Sequence, residues 1–485
     1  AHSLALTKVR PDLRHGTNGR DNDHLNLTTK YDESLEFVQS IFDEYMAESL
    51  ENPVFDLGTT VHVGADEYTA NGNAYRQFSN DMLNYVKNTG RNARIWGSLT
   101  RIKGNIEVPG EGVQMNIWNN GWANLGEMYD EGFDLINCND GQYYIVPNAG
   151  YYGNYLNENT LYNTAINSLG GTTVPAGDKQ MLGGAFAVWN DMTDYLDNGI
   201  SEYDVYDRIE KAIPLFAAKL WGKNTMSIND AKATSDVMGD APNTNFGYDI
   251  EDKDGQIVNY SMDNLEDQSG NNYHAKDGVN AGIEEVDGKK ALALNGNESY
   301  VTTGLGTAGL NNDLRVKVKR TSTSKDEQIL FESDYGSIKA VQKGTGKVGL
   351  SRENFDYSFN YELPLNEWVE LEFKNEFTRL SLYVNGELVD VLGDGEIIEG
   401  RPMVATGMFA MERIGSQTKA FTGYVDDVRL GVKDEYNSTM ELDYALWNAL
   451  ALEKQIDSDL LANWKAQAKE IFAKFNPTKE EISQL

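Results

Sequence analysis

The sequence predicts a mixed α/β chain: part of a (β/α)8 TIM barrel at residues 1–222, then an all-β sandwich at 251–432 and a short helical C-terminal segment at 433–485. Three observations support this prediction. Strand and helix patterns alternate in the first half, the predicted strands end in acids or large aromatic residues, and the second half switches to short strands between Gly, Asn and Asp. A polar, turn-rich stretch at 223–250 is the predicted linker.

The composition is that of a folded, acidic chain with more than one domain. At 485 residues it exceeds one ordinary core, and 40% hydrophobic with 11% aromatic residues excludes a mainly disordered protein. The formal net charge is −33, from 75 acidic and 42 basic side chains. Because nucleic-acid binders need a basic face, we expect no nucleic-acid partner, and the charge suits a neutral ligand.

Cysteine usage and hydropathy bear on the location of the protein. Cys138 is the one cysteine, so no intramolecular disulfide can form, which fits a cytosolic protein and equally a Gram-positive extracellular one. No segment approaches the roughly 20 apolar residues of a membrane-spanning helix. The chain opens with AHSLALTK, without an initiating Met or a signal peptide, so we expect a mature or trimmed product, or a fragment.

Helical and strand patterns alternate from residue 31 to about 222. Apolar residues at helical spacing predict the helices, and β-branched or apolar runs predict the strands. The predicted helices span 31–50, 74–86, 123–130, 157–168 and 203–221, and the predicted strands span 59–64, 93–97, 112–118, 133–138 and 182–189. This alternation predicts a parallel sheet, either open or closed into a barrel.

The number of strands conflicts with a complete barrel. Five strands are three short of eight, and the first helix itself needs a strand before it. Residues 1–7 (AHSLALT) are a candidate for the end of one missing strand. We therefore expect most of the first three barrel strands to lie outside this chain.

The strand ends carry the residues with the most chemistry. Each predicted strand delivers an acid or a large aromatic residue at its C-terminal end, the face that bears the active site in α/β barrels. These residues are Asp66, Glu67, Trp96, Trp118, Asp140, Tyr143, Tyr144, Trp189 and Asp191. Aromatic rings cover the apolar faces of a pyranose and acids accept hydrogen bonds from its hydroxyls, so the set predicts a sugar site. The alternative is that the Trp residues are core residues that cap the barrel.

Asp66 and Glu67 are adjacent at a strand end, where successive side chains point in different directions. They therefore cannot both flank one bond as the nucleophile and acid of a standard retaining glycosidase, whose carboxyl groups are about 5–5.5 Å apart. We expect separate roles: one carboxyl, with its pKa raised by burial and a charged neighbour, donates a proton, and the other stays ionised and orients a group. The alternative is an exposed acidic loop.

The second half of the chain has the texture of an antiparallel sandwich, from 255 to about 432. The runs ALALNG, YVTTG, WVELEF, RLSLYVNGELV and FTGYVDDVRL are the predicted strands. The last fifty or so residues are amphipathic, and we expect them to form helices that serve as a stalk or linker.

The first half resembles a known family. HVGADEY, residues 62–68, resembles the H-x-G-G/A-D-E motif of glycoside hydrolase family 20, the β-N-acetylhexosaminidases and lacto-N-biosidases. Four further pieces occur in the family's order. AHSLALTK resembles the family's P-x-H-x-x-A strand end, with His2 as the active-site histidine, and RIWG and NIW resemble its two Trp-bearing strands. NDGQYYIV resembles the strand that carries the family's pocket Tyr, and GGAFAVWND resembles its last barrel strand. The match covers about residues 1–222.

The resemblance implies a substrate-assisted retaining mechanism, in which the 2-acetamido group of the sugar attacks its own anomeric carbon. No cofactor takes part in catalysis. The resemblance implies that Glu67 is the general acid and base and that Asp66 orients the acetamido group. Tyr144, with Tyr143 as the alternative, would donate a hydrogen bond to the acetamido carbonyl. The acetamido methyl and the sugar ring would be enclosed by Trp96, Trp118 and Trp189, and the sugar hydroxyls would be bound by Asp191.

The chain also departs from the family. An Arg, and often an Asp or Gln, on early barrel strands hold the sugar hydroxyls there, and those strands precede residue 1. We therefore expect the chain by itself to lack part of the site. His62 belongs to the predicted substrate-binding set, where we expect it to orient the loop rather than to react. His15 and His24 lack metal-ligand spacing, so no metal is predicted there.

The second half resembles the laminin-G-like or concanavalin-like jelly rolls. DQSGNNYHA, ALALNGNESYV, WVELEF, LSLYVNGELV and FTGYVDDVRL stand in the order of that module. Such domains often bind sugars, sometimes with calcium, so Ca²⁺ is a candidate ligand of the sandwich. A role in packing or spacing is the alternative.

Together these features predict an exo-acting bacterial glycosidase that releases a GlcNAc-containing unit from an oligosaccharide or glycoconjugate. Release of lacto-N-biose is the preferred version, and a simple β-N-acetylhexosaminidase is the close alternative. We expect the protein to be secreted or anchored at the surface of a Gram-positive-type bacterium. Two other hypotheses are a non-catalytic glycan-binding adhesin and a half-barrel that is inert until it meets a missing N-terminal segment.

Overall fold

The structure is a computed structural model, and the contacts between residues divide the chain into two compact units. One comprises Ala1–Met192 and Arg208–Gly239, and the other comprises Thr193–Asp207 and Asp240–Leu485. The residues described are 3–16, 23–46, 53–195, 198–222, 226–238, 252–308, 312–352, 355–376, 379–393, 397–398, 401–402, 409–432, 462–463 and 466–467.

The first unit alternates strands and helices, as predicted. Its helices are α1 (Leu4–Val9), α2 (Tyr31–Met46), α3 (Gly72–Asn88), α4 (Leu125–Asp130), α5 (Asp140–Tyr143), α6 (Glu158–Asn163), and later α8 (Ala212–Trp221) and α9 (Ile228–Met238), while α7 (Glu202–Asp207) belongs to the second unit. Its strands are β1 (Thr60–His62), β2 (Asn92–Trp96), β3 (Val113–Ile117), β4 (Asp134–Asn137), β5 (Tyr144–Ile145), β6 (Ser168–Leu169), β7 (Thr172–Thr173), β8 (Met181–Gly184) and β9 (Ala187–Val188).

A five-stranded sheet in the order β1-β2-β3-β4-β8 forms the centre of this unit, and each neighbouring pair is parallel. Neighbours in space follow one another along the chain, so each connection returns to the adjacent strand, and all C-terminal ends lie at one edge. The predicted parallel sheet is confirmed. The predicted strand 182–189 is split, because β9 leaves the main sheet and pairs with β5.

Amphipathic helices pack against the sheet and explain its burial. Asn71 caps α3 by accepting a hydrogen bond from the Ala74 N–H over 3.0 Å, and the helix buries Tyr75, Phe78, Met82, Leu83 and Val86. The strands contribute completely buried apolar residues at alternate positions, which share one face of the sheet and pack in a common apolar cluster with the helices. Among them are Ala93, Ile95, Val113, Met115, Ile117 and Leu135.

Several sequence expectations need correction. Residues 4–7 are helical in α1, so the proposed strand end at 1–7 is wrong there; the Leu and Ala residues of that stretch favour a helix. The helix expected at 157–168 ends at Asn163, and the one expected at 203–221 is two helices separated by residues 208–211. The predicted linker 223–250 contains α9 in its described part. The C-terminal segment 433–485 lies outside the described residues except for 462–463 and 466–467, which are helical.

The second unit is an antiparallel β-sandwich, as predicted. Its strands are β10 (Gln256–Tyr260), β11 (Lys276–Val279), β12 (Ala281–Val286), β13 (Lys289–Asn295), β14 (Ser299–Thr302), β15 (Thr307–Ala308), β16 (Asn312–Arg320), β17 (Gln328–Ser333), β18 (Gly336–Val341), β19 (Gly349–Arg352), β20 (Phe355–Ser358), β21 (Trp368–Glu376), β22 (Arg379–Val384), β23 (Glu387–Gly393), β24 (Ile397–Ile398), β25 (Arg401–Pro402), β26 (Phe409–Ala410), β27 (Arg413–Ser416) and β28 (Thr422–Val432). One sheet runs β12-β13-β28-β16-β21-β22-β23, with β10 also on β28, and the other runs β11-β14-β27-β17-β18-β19-β20.

The sequence explains the sandwich locally. In the hairpin between β22 and β23, Asn385 and Gly386 have φ of 51° and 81°, the left-handed pair that a two-residue hairpin turn prefers. The buried side chains of the unit form one apolar cluster, which includes Tyr260, Leu292, Val318, Phe331 and Phe373.

Candidate functional site

The chain turns sharply after β1, where it delivers Asp66 and Glu67. Gly64, Ala65 and Glu67 all have left-handed backbone, with φ of 72°, 61° and 50°. For Ala65 and Glu67, which carry a Cβ, such a conformation costs on the order of 1–3 kcal/mol each and persists only where the surroundings impose it. This turn therefore has the character of a functional element rather than of a free acidic loop.

The turn opens onto a cavity of about 960 Å³ at the C-terminal edge of the parallel sheet. Nearly all of the predicted site residues of that edge line it: Asp66, Glu67, Trp96, Trp118, Tyr144, Trp189 and Asp191. Residues that the sequence did not single out for the site complete the wall: Ser3, Leu6, Leu25, Leu27, Val38, Val63, Gly64, Ala65, Tyr68, Tyr75, Phe78, Val146 and Tyr152. The cavity is thus polar and aromatic on the strand-end side, aliphatic where Leu6 of α1 and Val38 of α2 line it, and aromatic again at Tyr75 and Phe78 of α3.

Aromatic rings from separate strands meet beside the acids. Trp189 lies 6.1 Å from Trp96 and 5.6 Å from Tyr144 between ring centroids, the second pair edge to face. Trp189 is 37% exposed, so one part of its ring is open at the mouth. Together the three rings form a continuous aromatic wall.

Trp118 occupies a different part of the cavity. Its ring packs on Trp122 with a centroid distance of 5.6 Å, and the Arg101 guanidinium lies 4.8 Å from the Trp122 ring centroid. The Trp118 indole nitrogen is buried and has no hydrogen-bond acceptor within the part of the chain that the structure describes.

Two further carboxylates of this edge are held by tyrosines that the sequence analysis missed. Tyr152 donates to Asp140 Oδ2 over 2.9 Å, and Asp140 also accepts from the Asn119 amide over 3.2 Å. Tyr151 donates to Asp191 Oδ2 over 2.9 Å. The YY pair at 151–152 follows a Gly in a loop, so only its aromatic character hinted at a role.

Burial and charge keep the cavity tyrosines protonated. Burial raises the pKa of Tyr144 well above its ordinary range, and the neighbouring Asp140 and Asp66 charges raise it further. Burial, followed by the hydrogen bond to Asp140, raises the pKa of Tyr152 to about 12. Both hydroxyls therefore remain hydrogen-bond donors at neutral pH.

His62 lies behind the aromatic wall. Its Nδ1 accepts a hydrogen bond from the Gly64 N–H over 2.9 Å, and its ring centroid is 5.1 Å from that of Trp96. Burial lowers the pKa of His62 to about 4, and the nearby Arg94 charge lowers it in the same direction. A neutral imidazole that supports the turn and Trp96 agrees with the expected orienting role, and direct sugar contact stays a prediction.

Tyr143 and His2 complete the predicted set. Tyr143 is fully buried in a separate apolar cluster, 5.5 Å from Phe216 between ring centroids. Tyr144, whose ring faces the cavity, is therefore better placed than Tyr143 for a contact with a ligand. His2 lies outside the described residues.

The described residues hold no group of three or more His, Cys, Asp or Glu side chains that could bind a metal ion. In the sandwich, the Asp267 carboxylate of the DQSGNNYHA run accepts hydrogen bonds from the Asn259, Ser269 and Tyr273 backbone N–H groups and from the Ser269 hydroxyl. Burial would raise the pKa of Asp267, but these hydrogen bonds outweigh it, and the pKa is lowered. Asp267 thus organises its own loop, and Ca²⁺ binding by the sandwich stays a prediction.

No described helix combines the length and the apolar content that crossing a membrane would require.

Comparison with known proteins places the chain beside glycosidases. No protein-family profile matches it. The lacto-N-biosidase of Bifidobacterium bifidum is 22% identical over 261 residues, 47% of this chain and 22% of that protein. The chain thus spans 22% of the length of this curated relative.

Solved structures similar to the chain include glycoside hydrolases. The β-N-acetylhexosaminidase from Bacteroides fragilis is 18% identical, with a TM-score of 0.38, and covers 48% of each chain. The GH20 modules of the pneumococcal exo-β-D-N-acetylglucosaminidase are 16% identical, with a TM-score of 0.35, over 44% of this chain and 55% of theirs. The predicted resemblance to glycoside hydrolase family 20 is confirmed, with the lacto-N-biosidase match as its main support.

Proposed function

We propose that this chain belongs to an exo-acting glycoside hydrolase that removes a GlcNAc-containing unit from glycans by a substrate-assisted, retaining mechanism. The observation that carries the proposal is the left-handed turn that places Asp66 and Glu67 together in a cavity walled by Trp96, Tyr144 and Trp189. The similarity to the Bifidobacterium bifidum lacto-N-biosidase supports it.

Asp66 and Glu67 have different chemical roles, because adjacent side chains point in different directions. Glu67 protonates the leaving oxygen and then deprotonates the attacking water. Asp66 accepts a hydrogen bond from the acetamido N–H and stabilises the positive charge that develops on the oxazolinium ring. The nucleophile is the acetamido oxygen of the substrate, so the chain need not place a second carboxylate opposite Glu67.

Asp140, one of the two further carboxylates at this edge of the sheet, is poorly suited to be a protein nucleophile. It accepts hydrogen bonds from Asn119, Tyr152 and the Gly141 N–H, which reduce the electron density available for attack. This engagement favours the substrate's own acetamide as nucleophile.

Tyr144 and the tryptophans bind the group that reacts. Because its pKa is raised, Tyr144 donates a hydrogen bond to the acetamido carbonyl throughout the neutral range. Trp96, Trp118 and Trp189 enclose the acetamido methyl and the sugar ring. Asp191, at the mouth beside Tyr151, accepts hydrogen bonds from sugar hydroxyls.

We further propose that the five parallel strands form part of a (β/α)8 barrel, whose other strands supply residues for the sugar hydroxyls. The sequential strand order and the clustering of site residues at one sheet edge support this. His2 is proposed to contribute from the first segment. Secretion or surface anchoring in a Gram-positive-type bacterium and Ca²⁺ binding by the sandwich stay predictions.

Lacto-N-biose release is the preferred activity, with simple β-N-acetylhexosaminidase activity as the alternative. Aryl β-lacto-N-bioside and aryl β-GlcNAc, assayed side by side on the intact protein, separate them. Turnover of the disaccharide substrate alone supports the first and turnover of the monosaccharide substrate supports the second. Turnover of neither, with every reagent verified, overturns the catalytic proposal.

A second candidate is glycan binding by the sandwich. Above β17, β18 and β27 lies a cavity of about 610 Å³ lined by polar side chains, among them the buried Lys339 and Arg413. Lys339 is paired with Glu327 over 2.6 Å and with Asp356 over 3.0 Å, so charged donors and acceptors are held in place in the cavity lining. Calorimetry of the intact protein against a glycan panel tests this candidate: heat that persists in the Glu67→Gln variant and disappears in Lys339→Met supports it.

A further inference from the structure

Two side chains that the sequence did not assign to the site hold the turn that carries the acids. Tyr75, in α3, donates a hydrogen bond from its hydroxyl to the Ala65 carbonyl oxygen over 2.8 Å. The Glu67 N–H donates to Ser98 Oγ over 3.3 Å. The first bond fixes the peptide group before Asp66, and the second fixes the peptide group after it.

Main-chain contacts anchor the start of the same turn. The Trp96 N–H donates to the Gly64 carbonyl over 3.0 Å, and the Gly64 N–H donates to His62 Nδ1 over 2.9 Å. Gly64 is therefore tied to β2 and to the imidazole.

Both supporting side chains are shielded from water. Tyr75 is 1% exposed and Ser98 is fully buried. Burial raises the pKa of Tyr75 well above its ordinary range, so the hydroxyl keeps its proton and continues to donate. Since bulk water has little access, a lost hydrogen bond at either position is poorly replaced by solvent.

We infer that Tyr75 and Ser98 are positioning residues, which set the directions of the Asp66 and Glu67 side chains by fixing the two peptide groups that flank Asp66. This inference rests on the proposed function. The left-handed backbone at Ala65 and Glu67 has lower-energy alternatives, and the two hydrogen bonds hold the turn away from them. Ser98 bonds directly to the Glu67 N–H and therefore acts mainly on Glu67, whereas Tyr75 bonds to the peptide group that precedes Asp66 and acts mainly on Asp66.

This division gives the two positions different kinetic signatures. Loss of the Ser98 hydroxyl misplaces the proton donor, which matters for a poor leaving group and little for one that departs unprotonated. Loss of the Tyr75 hydroxyl misplaces Asp66 and hence the acetamido nucleophile, which slows the first step for every leaving group. A general loss of stability would not depend on the leaving group.

The experiment compares Ser98→Ala and Tyr75→Phe with the parent protein on two aryl 2-acetamido-β-glycosides. One substrate has a good leaving group, 2,4-dinitrophenyl, and the other a poor one, phenyl. Both carry the sugar unit that the parent protein releases. Matched controls are Ser34→Ala, in α2, and Tyr85→Phe, in α3, which remove hydroxyls that bond to Asn26 O and to Gln39 O. Thermal unfolding of every variant measures folding, and the Ser98→Thr variant tests rescue by a retained hydroxyl.

We expect kcat/KM of Ser98→Ala, which reports the first chemical step, to fall about 10- to 100-fold on the phenyl substrate and less than threefold on the dinitrophenyl one. Tyr75→Phe should lose about 10-fold or more in kcat/KM on both, and the controls should keep the parental kcat/KM. Equal, leaving-group-independent losses in all four hydroxyl deletions, or parental kcat/KM in both Ser98→Ala and Tyr75→Phe, overturn the inference and leave the proposed function intact if Glu67→Gln is inactive. A parent that turns over no 2-acetamido glycoside overturns the proposed function, and this inference with it.

Discussion

The Tyr144 phenol meets the Trp189 indole edge to face, with centroids 5.6 Å apart and planes at 69°. The two rings are neighbours because β5 and β9 form a short parallel pair, in which Tyr144 lies opposite Ala187 and Ile145 opposite Val188. This pair branches away from the main sheet after the glycines of β8, where Gly183 has a φ of 142°. As a result, Tyr144 and Trp189 line the cavity into which Asp66 and Glu67 also project.

The first prediction concerns Glu67. Glu67→Gln keeps the shape of the side chain but cannot transfer a proton, so we expect kcat on a phenyl glycoside to fall about 10²- to 10⁴-fold. The matched control is Glu36→Gln, an exposed acid of α2, which should retain full activity. Steady-state kinetics measure both, and a Glu67→Gln variant that retains parental turnover would remove Glu67 from the mechanism.

The second prediction concerns Tyr144. Tyr144→Phe removes the proposed donor to the acetamido carbonyl, and we expect kcat/KM to fall about 10- to 100-fold, equivalent to about 1.4–2.8 kcal/mol. Because burial raises the pKa of Tyr144, the parent should show no loss of activity from this group between pH 7 and 9. A pH–rate profile measures this: an alkaline limb below pH 9 that disappears in Tyr144→Phe would contradict the assignment.

The third prediction concerns Trp189, which is partly exposed and contacts both Trp96 and Tyr144. Trp189→Ala opens the wall and removes a surface that the sugar covers. We expect KM to rise about tenfold, or about 1.4 kcal/mol in binding, with a smaller change in kcat. The control is Trp221→Ala, a 92% exposed residue at the end of α8. Equal KM values for the two variants would argue against Trp189 as a sugar contact.

The fourth prediction concerns stability and pH. The folded-state pKa of His62 is lowered to about 4 from an ordinary value of 6.5, so the unfolded chain binds the additional proton between these values. Stability contributed by the neutral imidazole is therefore present above about pH 6.5 and is lost as pH falls toward 4, by at most about 3 kcal/mol. Urea unfolding at pH 7.5 and 5 should show a smaller pH effect in His62→Asn than in the parent. An identical pH effect in the two proteins would show that His62 does not titrate in this way.

The fifth prediction concerns the Asp267 loop of the sandwich. Asp267→Ala removes an acceptor from three backbone N–H groups and the Ser269 hydroxyl, so we expect a loss of about 1–3 kcal/mol in unfolding free energy. Because these groups already occupy the carboxylate, a chelator should not reproduce the loss in the parent. Unfolding curves with and without EDTA measure this, and a chelator effect that Asp267→Ala abolishes would identify Asp267 as a metal ligand.

The sequence predicted those site residues that lie at the C-terminal ends of strands. Asp66, Trp96, Trp118 and Tyr144 follow recognisable strands, and the C-terminal ends of parallel strands must meet at one edge. The resemblance favoured Tyr144 and left Tyr143 as the alternative; in the structure Tyr144 lines the cavity and Tyr143 is buried in a separate apolar cluster, because a single-residue shift decides which ring points into the cavity.

The rest of the site depends on contacts between residues distant in sequence. Tyr75 was recognisable as a buried position of α3, but its hydrogen bond to Ala65 depends on how the helix packs on the turn. Ser98 and Tyr152 lie in loops, where no periodicity indicates direction. The strand expected at 1–7 failed because a short apolar stretch cannot distinguish a strand end from the helix α1.

The most direct test of the mechanism uses the parent protein and a change in the substrate. Fluorination of the acetamido methyl weakens the acetamido oxygen as a nucleophile and leaves the leaving group and the sugar ring unaltered. We expect kcat/KM on aryl glycosides to fall progressively from the acetyl to the mono-, di- and trifluoroacetyl compound, with more than a tenfold loss at the last. A rate independent of fluorination would show that the substrate's acetamide does not attack, and it would contradict the substrate-assisted mechanism and the role proposed for Asp66.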